Sequence, residues 1–223
     1  MPKSKRSKIV PLTNAKSNQK ELKEKAFKKL SANFLKFNNV LLLENINLNS
    51  ENQKTLVNDL PGVLIFAKKT VMRVFFSNQL AAYPQLQTMV EFLENPNLKE
   101  VCLLLTNSPK KTIDGALASL KRQEFANPGS PATATVILSA GDQVFQSLST
   151  SNDAYLRNLG VFTTVQDSKL YLQENFVAAQ KGKPVTVVQS KIMKMLGIKA
   201  GTFESKVLLA FDKSLGTLEV IKQ

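Results

Sequence analysis

The sequence predicts an α/β protein whose main domain is interrupted by a smaller α/β module. Three observations predict it. Short apolar runs at Val40–Leu43, Val63–Phe66 and Val101–Leu105 have strand length and alternate with stretches of helical periodicity. At Asn127-Pro128-Gly129-Ser130-Pro131 the composition changes to turn formers, and the stretch up to Pro184 is rich in Ser, Thr, Gln and Asn. Beyond it a helical pattern and then a hairpin pattern resume.

Asn18 to Asn38 places Leu22, Ala26, Leu30 and Phe34 at steps of four with Phe27 and Phe37 beside them, one apolar arc of a helix. Lys25, Lys28, Lys29 and Lys36 point the other way. Val40–Leu43 follows as a strand. Ser50 with Gln53 gives a capping-box signal for a helix through Leu60, stopped by Pro61-Gly62. Val63–Phe66 is the second strand, and a further helix begins at Val71-Met72-Arg73. Pro84 sits in the first turn of the next helix, ahead of the third strand, Val101–Leu105. Thr106 to Pro109 introduces a helix from Lys110 to Arg122. In the module, Thr133–Leu138 reads as a strand, Tyr155–Leu159 as a short helix stopped by Gly160, and Lys169–Leu172 as another strand. Thr186 or Ser190 then starts a helix with Ile192, Met195 and Leu196 inward, ending at Gly197. Lys206–Phe211 and Thr217–Ile221 form a hairpin around Asp212–Gly216.

The formal charge of +13 favours polyanionic partners. Residues 1–36 carry 11 basic side chains against Glu21 and Glu24, whereas the remainder carries only 19 against 15. Lys68, Lys69, Thr70 and Arg73 gather at a strand-to-helix junction, where a helix offers unpaired N–H groups to phosphate. A charged connector of no function is the plainer account of such a cluster, and the adjoining basic arm favours the functional one.

The chain has no histidine, which removes the commonest general base, the histidine-activated nucleophiles and imidazole-ligated metal sites. No glycine-rich phosphate loop precedes Lys68-Lys69-Thr70. Carboxylates such as Asp59, Glu91 and Asp114 lack interpretable metal spacing. We expect no enzyme, no catalytic or metal-binding residues and no cofactor. The single cysteine, Cys102, lies in an apolar run and is expected to be buried and inert. Apolar runs are too short to span a bilayer, so no membrane partner is expected. An organelle transit peptide would need an Arg-rich amphipathic stripe, which Met1 to Lys20 does not show.

Several segments carry a family resemblance: Met1-Pro2-Lys3-Ser4-Lys5-Arg6-Ser7-Lys8-Ile9-Val10, then Phe66, Lys68, Val71 and Met72, then Leu156-Arg157-Asn158-Leu159-Gly160 with Thr163. Gly182, Thr186, Gln189, Met195-Leu196-Gly197, Phe203, Lys206-Val207 and Phe211-Asp212 extend it. In these the chain resembles the mRNA turnover protein 4 family of ribosome assembly factors, paralogous to the ribosomal stalk-base protein of the acidic P-zero and bacterial L-ten type. It departs from the family pattern at Ala67, where glycine is usual, near Asn127 (arginine), at Phe162 (proline) and at Asp167-Ser168 (a basic residue with glycine).

The resemblance implies an L-ten-like rRNA-binding domain interrupted by an insertion domain. We place a basic arm at residues 1–17, the rRNA-binding domain at 18–124 and 185–223, and the insertion at 125–184. It implies a nucleolar and nuclear placeholder, with shuttling to the cytoplasm open, that holds stalk-base rRNA of the precursor large (60S) subunit until the mature protein replaces it. The expected partners are that rRNA, the pre-60S particle with its neighbouring ribosomal proteins, and a release factor, the chain being monomeric within the particle. The residues expected to contact RNA are Lys3, Lys5, Arg6, Lys8, Lys25, Lys28, Lys68, Lys69, Thr70 and Arg73. The alternative is the mature stalk-base protein itself. Against it stands the expected stalk-recruiting tail, which would continue past the hairpin where this chain ends at Gln223.

Overall fold

The computed structural model describes residues 19–221 apart from 97, 99, 142–144 and 146. The basic arm, with Lys3, Lys5, Arg6 and Lys8, lies outside the described residues. The first part of the chain runs α1 (Gln19–Lys36), β1 (Asn39–Ile46), α2 (Ser50–Asp59), β2 (Val63–Ile65) and α3 (Lys69–Gln79). A single 3-10 turn at Pro84–Leu86 leads into α4 (Gln87–Glu94), then β3 (Val101–Thr106), α5 (Lys110–Ser119) and β4 (Arg122–Glu124). The module contributes β5 (Val136–Leu138), α6 (Asp153–Asn158), β6 (Thr163–Gln166), β7 (Lys169–Leu172) and β8 (Phe176–Ala179). After it come α7 (Val187–Met195), β9 (Gly201–Asp212) and β10 (Thr217–Val220). No helix among the described residues is long and apolar enough to cross a membrane.

The main sheet is antiparallel in the order β10-β9-β1-β3-β2, with β4 pairing to the start of β9. Its central strands are apolar on both sides because helices cover both. On β1 the alternation sends Val40 and Leu42 to one core and Leu41 and Leu43 to the other; on β3, Leu103 and Leu105 part from Cys102 and Leu104 in the same way. The first core is filled from α1, α3 and α4 by Leu30, Phe34, Met72, Phe75, Phe76 and Met89. The second is filled from α2 and α5 by Leu56, Ile113 and Leu117. On β9 the parity changes midway, since Phe203 and Val207 join the second core but Leu209 and Phe211 the first. The cause is a bulge: Leu42 pairs with Leu209 and Leu43 with Val207, so Leu208 is the extra residue. One added residue exchanges the faces of everything beyond it.

Several boundaries differ from expectation for identifiable reasons. The N-cap of α2 is Asn49, whose side chain accepts from the Asn52 amide at 2.7 Å, and Ser50 is already helical. Asn is as good an N-cap as Ser. Helix α5 ends at Ser119 rather than Arg122, because Arg122–Glu124 pair with Gly201–Phe203 as β4. Leu22, placed on the apolar arc of α1, is 62% exposed, so the buried arc starts at Ala26 and Phe27. At Pro61-Gly62 the turn needs glycine: φ is +137°, and a Cβ would stand 2.3 Å from the Leu105 carbonyl oxygen.

In the module, β5 pairs with β8 and β6 with β7. The β6–β7 hairpin turns on Asp167 and Ser168, both at positive φ (49° and 58°), the backbone of a type I′ turn. The module core runs from Ala126 to Ala200 and includes Ile192 and Met193 of α7. Helix α7 therefore packs on the module, although its residues follow the boundary drawn at Pro184. Its N-cap, Thr186, forms a reciprocal capping box with Gln189.

Candidate RNA interface

Helix α3 starts at Lys69, earlier than Val71, so Lys69 and Thr70 lie in its first turn and Lys68 is the N-cap residue. No side chain caps this end and no acidic residue occupies the first turn. The first N–H groups of a helix have no intrahelical acceptor, so the end presents donors and a partial positive charge. Ala67 is outside the set of residues at positive φ, so the chain takes this path without the glycine of the family pattern.

The four residues expected here differ in availability. Lys68 and Thr70 are exposed. The Lys69 ammonium donates to the backbone carbonyl oxygens of Asn95 (3.1 Å) and Leu98, tying the α4–β3 connection to α3. Arg73 pairs with Glu94 at 3.3 Å across the same two helices, with both side chains about half exposed (44% and 56%). An exposed pair of that kind is weak and exchangeable, whereas the Lys69 ammonium is committed to the scaffold. Beside Lys68 and Thr70 lies an open groove of about 490 Å³, whose walls include Phe66, Leu48, Asn45 and Glu100. Phe66 and Glu100 were not among the expected site residues. Phe66 offers a ring to this groove, and Glu100 adds an anion that a phosphate would avoid.

Lys25 and Lys28 are exposed on α1. The helix is fixed by edge-to-face contacts of Phe27 and Phe34 with Phe75 of α3, at centroid distances of 5.6 and 5.3 Å. Its C-terminal end is held by Lys213 from the β9–β10 turn, which donates to the carbonyl oxygens of Phe34 and Phe37 (2.9 Å for the latter). The same ammonium sits 4.5 Å from the Phe34 ring centroid. Burial pulls its pKa below the ordinary lysine value. A cation at a helix C-terminus complements the dipole, so Lys213 positions α1 and with it Lys25 and Lys28.

Comparison with known proteins follows the same division of the chain. The family described as the insertion domain in the 60S ribosomal protein of L-ten P type matches residues 126–198, nearly the extent of the module core. The ribosome assembly factor mrt4 of Dictyostelium discoideum is 24% identical over 207 residues, covering 92% of this chain and 90% of that protein. The ribosome assembly factor mrt4 of Schizosaccharomyces pombe is 24% identical over 234 residues, covering 100% of this chain and 96% of that one. The large ribosomal subunit protein uL10 of Methanopyrus kandleri is 22% identical over 137 residues, 61% of this chain but 37% of its own length.

Proposed function

We propose that this chain, which belongs to the mrt4 family and is paralogous to uL10, is a ribosome assembly factor that holds rRNA of the large-subunit precursor without catalysing a reaction. The observation that carries the reading is the extent of similarity: it spans the assembly factors nearly end to end and only part of uL10.

The finer reading is that the first domain occupies the stalk-base rRNA of the pre-60S particle in the nucleolus and later yields to the stalk-base protein. Lys68, Thr70 and the open end of α3 would meet phosphates, with Lys25 and Lys28 of α1 and the arm residues Lys3, Lys5, Arg6 and Lys8 adding further contacts. Arg73 would join by exchanging Glu94 for phosphate, and Lys69 would support the loop geometry from behind. Folded RNA would be recognised chiefly by its shape and backbone, since these groups offer phosphate contacts and few base-reading ones. The division into an arm, an rRNA-binding domain and an insertion domain belongs to the same proposal, with α7 counted with the insertion on its packing.

Tagging the protein in its own cells and fractionating ribosomes on a sucrose gradient tests this reading. Migration with large-subunit precursors alone is expected. Migration with translating polysomes would instead make it a stalk-base protein, and absence from both would overturn the ribosomal assignment.

A further inference from the structure

The charge of the body is concentrated where no contact residue was expected. Between residues 37 and 223 there are 19 basic and 15 acidic side chains, and residues 175–203 hold five of the basic ones (Lys181, Lys183, Lys191, Lys194, Lys199) and none of the acidic ones. Outside that segment the body is close to neutral, with 14 basic side chains and 15 acidic.

The fold gathers these five lysines around one strip of backbone. The Gly182 amide donates to the Ala132 carbonyl oxygen at 2.8 Å and the Ala132 amide to that of Lys183 at 3.0 Å; on the other side the Thr133 amide donates to Ala200 at 2.9 Å. Lys181 and Lys183 thus flank residues 132–133 on one side and Lys199 on the other. The strip itself brings no opposing charge, because residues 125–141 contain no ionisable side chain. Helix α7 runs between the two lysine groups, and Val187, Lys191 and Lys194 share its exposed face, opposite the buried Ile192 and Met193.

All five lysines are exposed, and none makes an ion pair among the described residues. Lys199 makes one ring contact, 5.8 Å from the Phe125 centroid, which leaves its ammonium hydrogens available. The acids that bracket the segment are Glu174 and Glu204, and Glu204 is held by Lys121 (3.1 Å) and Lys206 (3.8 Å). Elsewhere in the body Arg73, Lys110, Lys121, Arg122, Arg157 and Lys206 do have carboxylate partners. Exposed like charges held together without counter-charges form a region of positive potential that a phosphate backbone neutralises with release of its counterions.

We infer that Lys181, Lys183, Lys191, Lys194 and Lys199 form a second RNA-binding surface, at the root of the insertion and on α7, which grips the sugar-phosphate backbone of an rRNA segment other than the one held at α3. The inference rests on the assembly-factor reading. Two grips on separate RNA segments would let the chain report that those segments have reached their mutual positions.

The test uses the full chain in its own cells, with ultraviolet cross-linking to map the RNA it touches and a salt titration of its release from isolated precursor particles. The variant changes all five lysines to Ala, and a second variant changes all five to Arg. For the parent protein two separate cross-link clusters are expected. The alanine variant should lose one cluster about tenfold and leave the particle at lower salt, its log–log salt slope smaller by about 3.5–4.5 at 0.7–0.9 per phosphate contact. The arginine variant should restore both. The inference is overturned if the alanine variant keeps the parent's cross-link map and salt slope. It is equally overturned, in favour of an acidic polypeptide partner, if that map persists while an RNase-resistant protein contact disappears. Absence of RNA cross-links from the parent itself would overturn the rRNA reading along with it.

Discussion

Lys68 and Lys69 are neighbours of identical chemistry, and the structure assigns them opposite work. Replacing each by Ala in turn separates the two. Lys69→Ala removes two hydrogen bonds from an ammonium to the Asn95 and Leu98 carbonyl oxygens. Hydrogen bonds involving a charged group contribute about 1.5–3 kcal/mol when well buried, and this site is only half-buried, so a loss of about 1–3 kcal/mol is expected. For a chain of this size each kcal/mol lowers Tm by about 2–4 °C, giving a fall of about 2–10 °C. Lys68→Ala removes an exposed side chain with no such bond and should stay within about 0.5 kcal/mol of the parent. RNA binding should show the reverse. With a stalk-base rRNA fragment in a salt titration, Lys68→Ala should flatten the log–log slope by about 0.7–0.9, one phosphate contact. Lys69→Ala should leave the slope unchanged even if a loosened loop weakens affinity. A Lys69→Ala protein that melts like the parent and loses as much slope as Lys68→Ala would refute the division of labour.

Two further predictions concern the scaffold. Burial in the centre of the sheet pushes the Cys102 thiol to a pKa of about 12, against which its hydrogen bond from Asn45 is the smaller influence. Alkylation at pH 8 should therefore be on the order of 10³-fold slower in the native protein than in denaturant; fast native labelling would take β3 out of the sheet centre. At the β6–β7 turn Ser168 occupies a positive-φ position that glycine adopts without strain, so Ser168→Gly should stabilise the protein by about 0.5–1 kcal/mol. An unchanged or lower Tm would contradict the type I′ geometry.

The main sheet was legible because its central strands are buried on both faces and read as continuous apolar runs bounded by turn formers. The short strands were not. Arg122–Glu124, Thr163–Gln166 and Phe176–Ala179 are three or four residues long and carry too few side chains for a period of two to register. Charged β4 looks like the tail of α5 until its pairing with β9 is seen. The bulge at Leu208 was equally hidden, since the run Val207-Leu208-Leu209 has no polar residue to mark the change of face. At the candidate site the residues were legible and their availability was not: nothing in Lys68-Lys69-Thr70 says which ammonium reaches back to Asn95, a residue 26 positions away.

Composition alone therefore misplaces the positive potential of this chain. The two described clusters that attracted notice first, α1 and the start of α3, lose Lys69 and part of Arg73 to the scaffold. The Lys181–Lys199 segment attracted none, because its lysines are spread over a loop, a helix and a connector that only the backbone pairing around Ala132 and Thr133 brings together. What decides between a solvated lysine and a contact residue is whether the fold supplies a counter-charge. Where carboxylates are interleaved, as at Arg73, Lys121 and Arg157, phosphate must displace a partner before it can bind. Where none is present, the like charges repel one another until an anion arrives, and binding relieves that repulsion as well as releasing counterions. On that criterion Lys68, Lys191 and Lys194 rank ahead of Arg73 and Lys69 as phosphate contacts, an order that single alanine substitutions read by salt slope would reproduce or reverse.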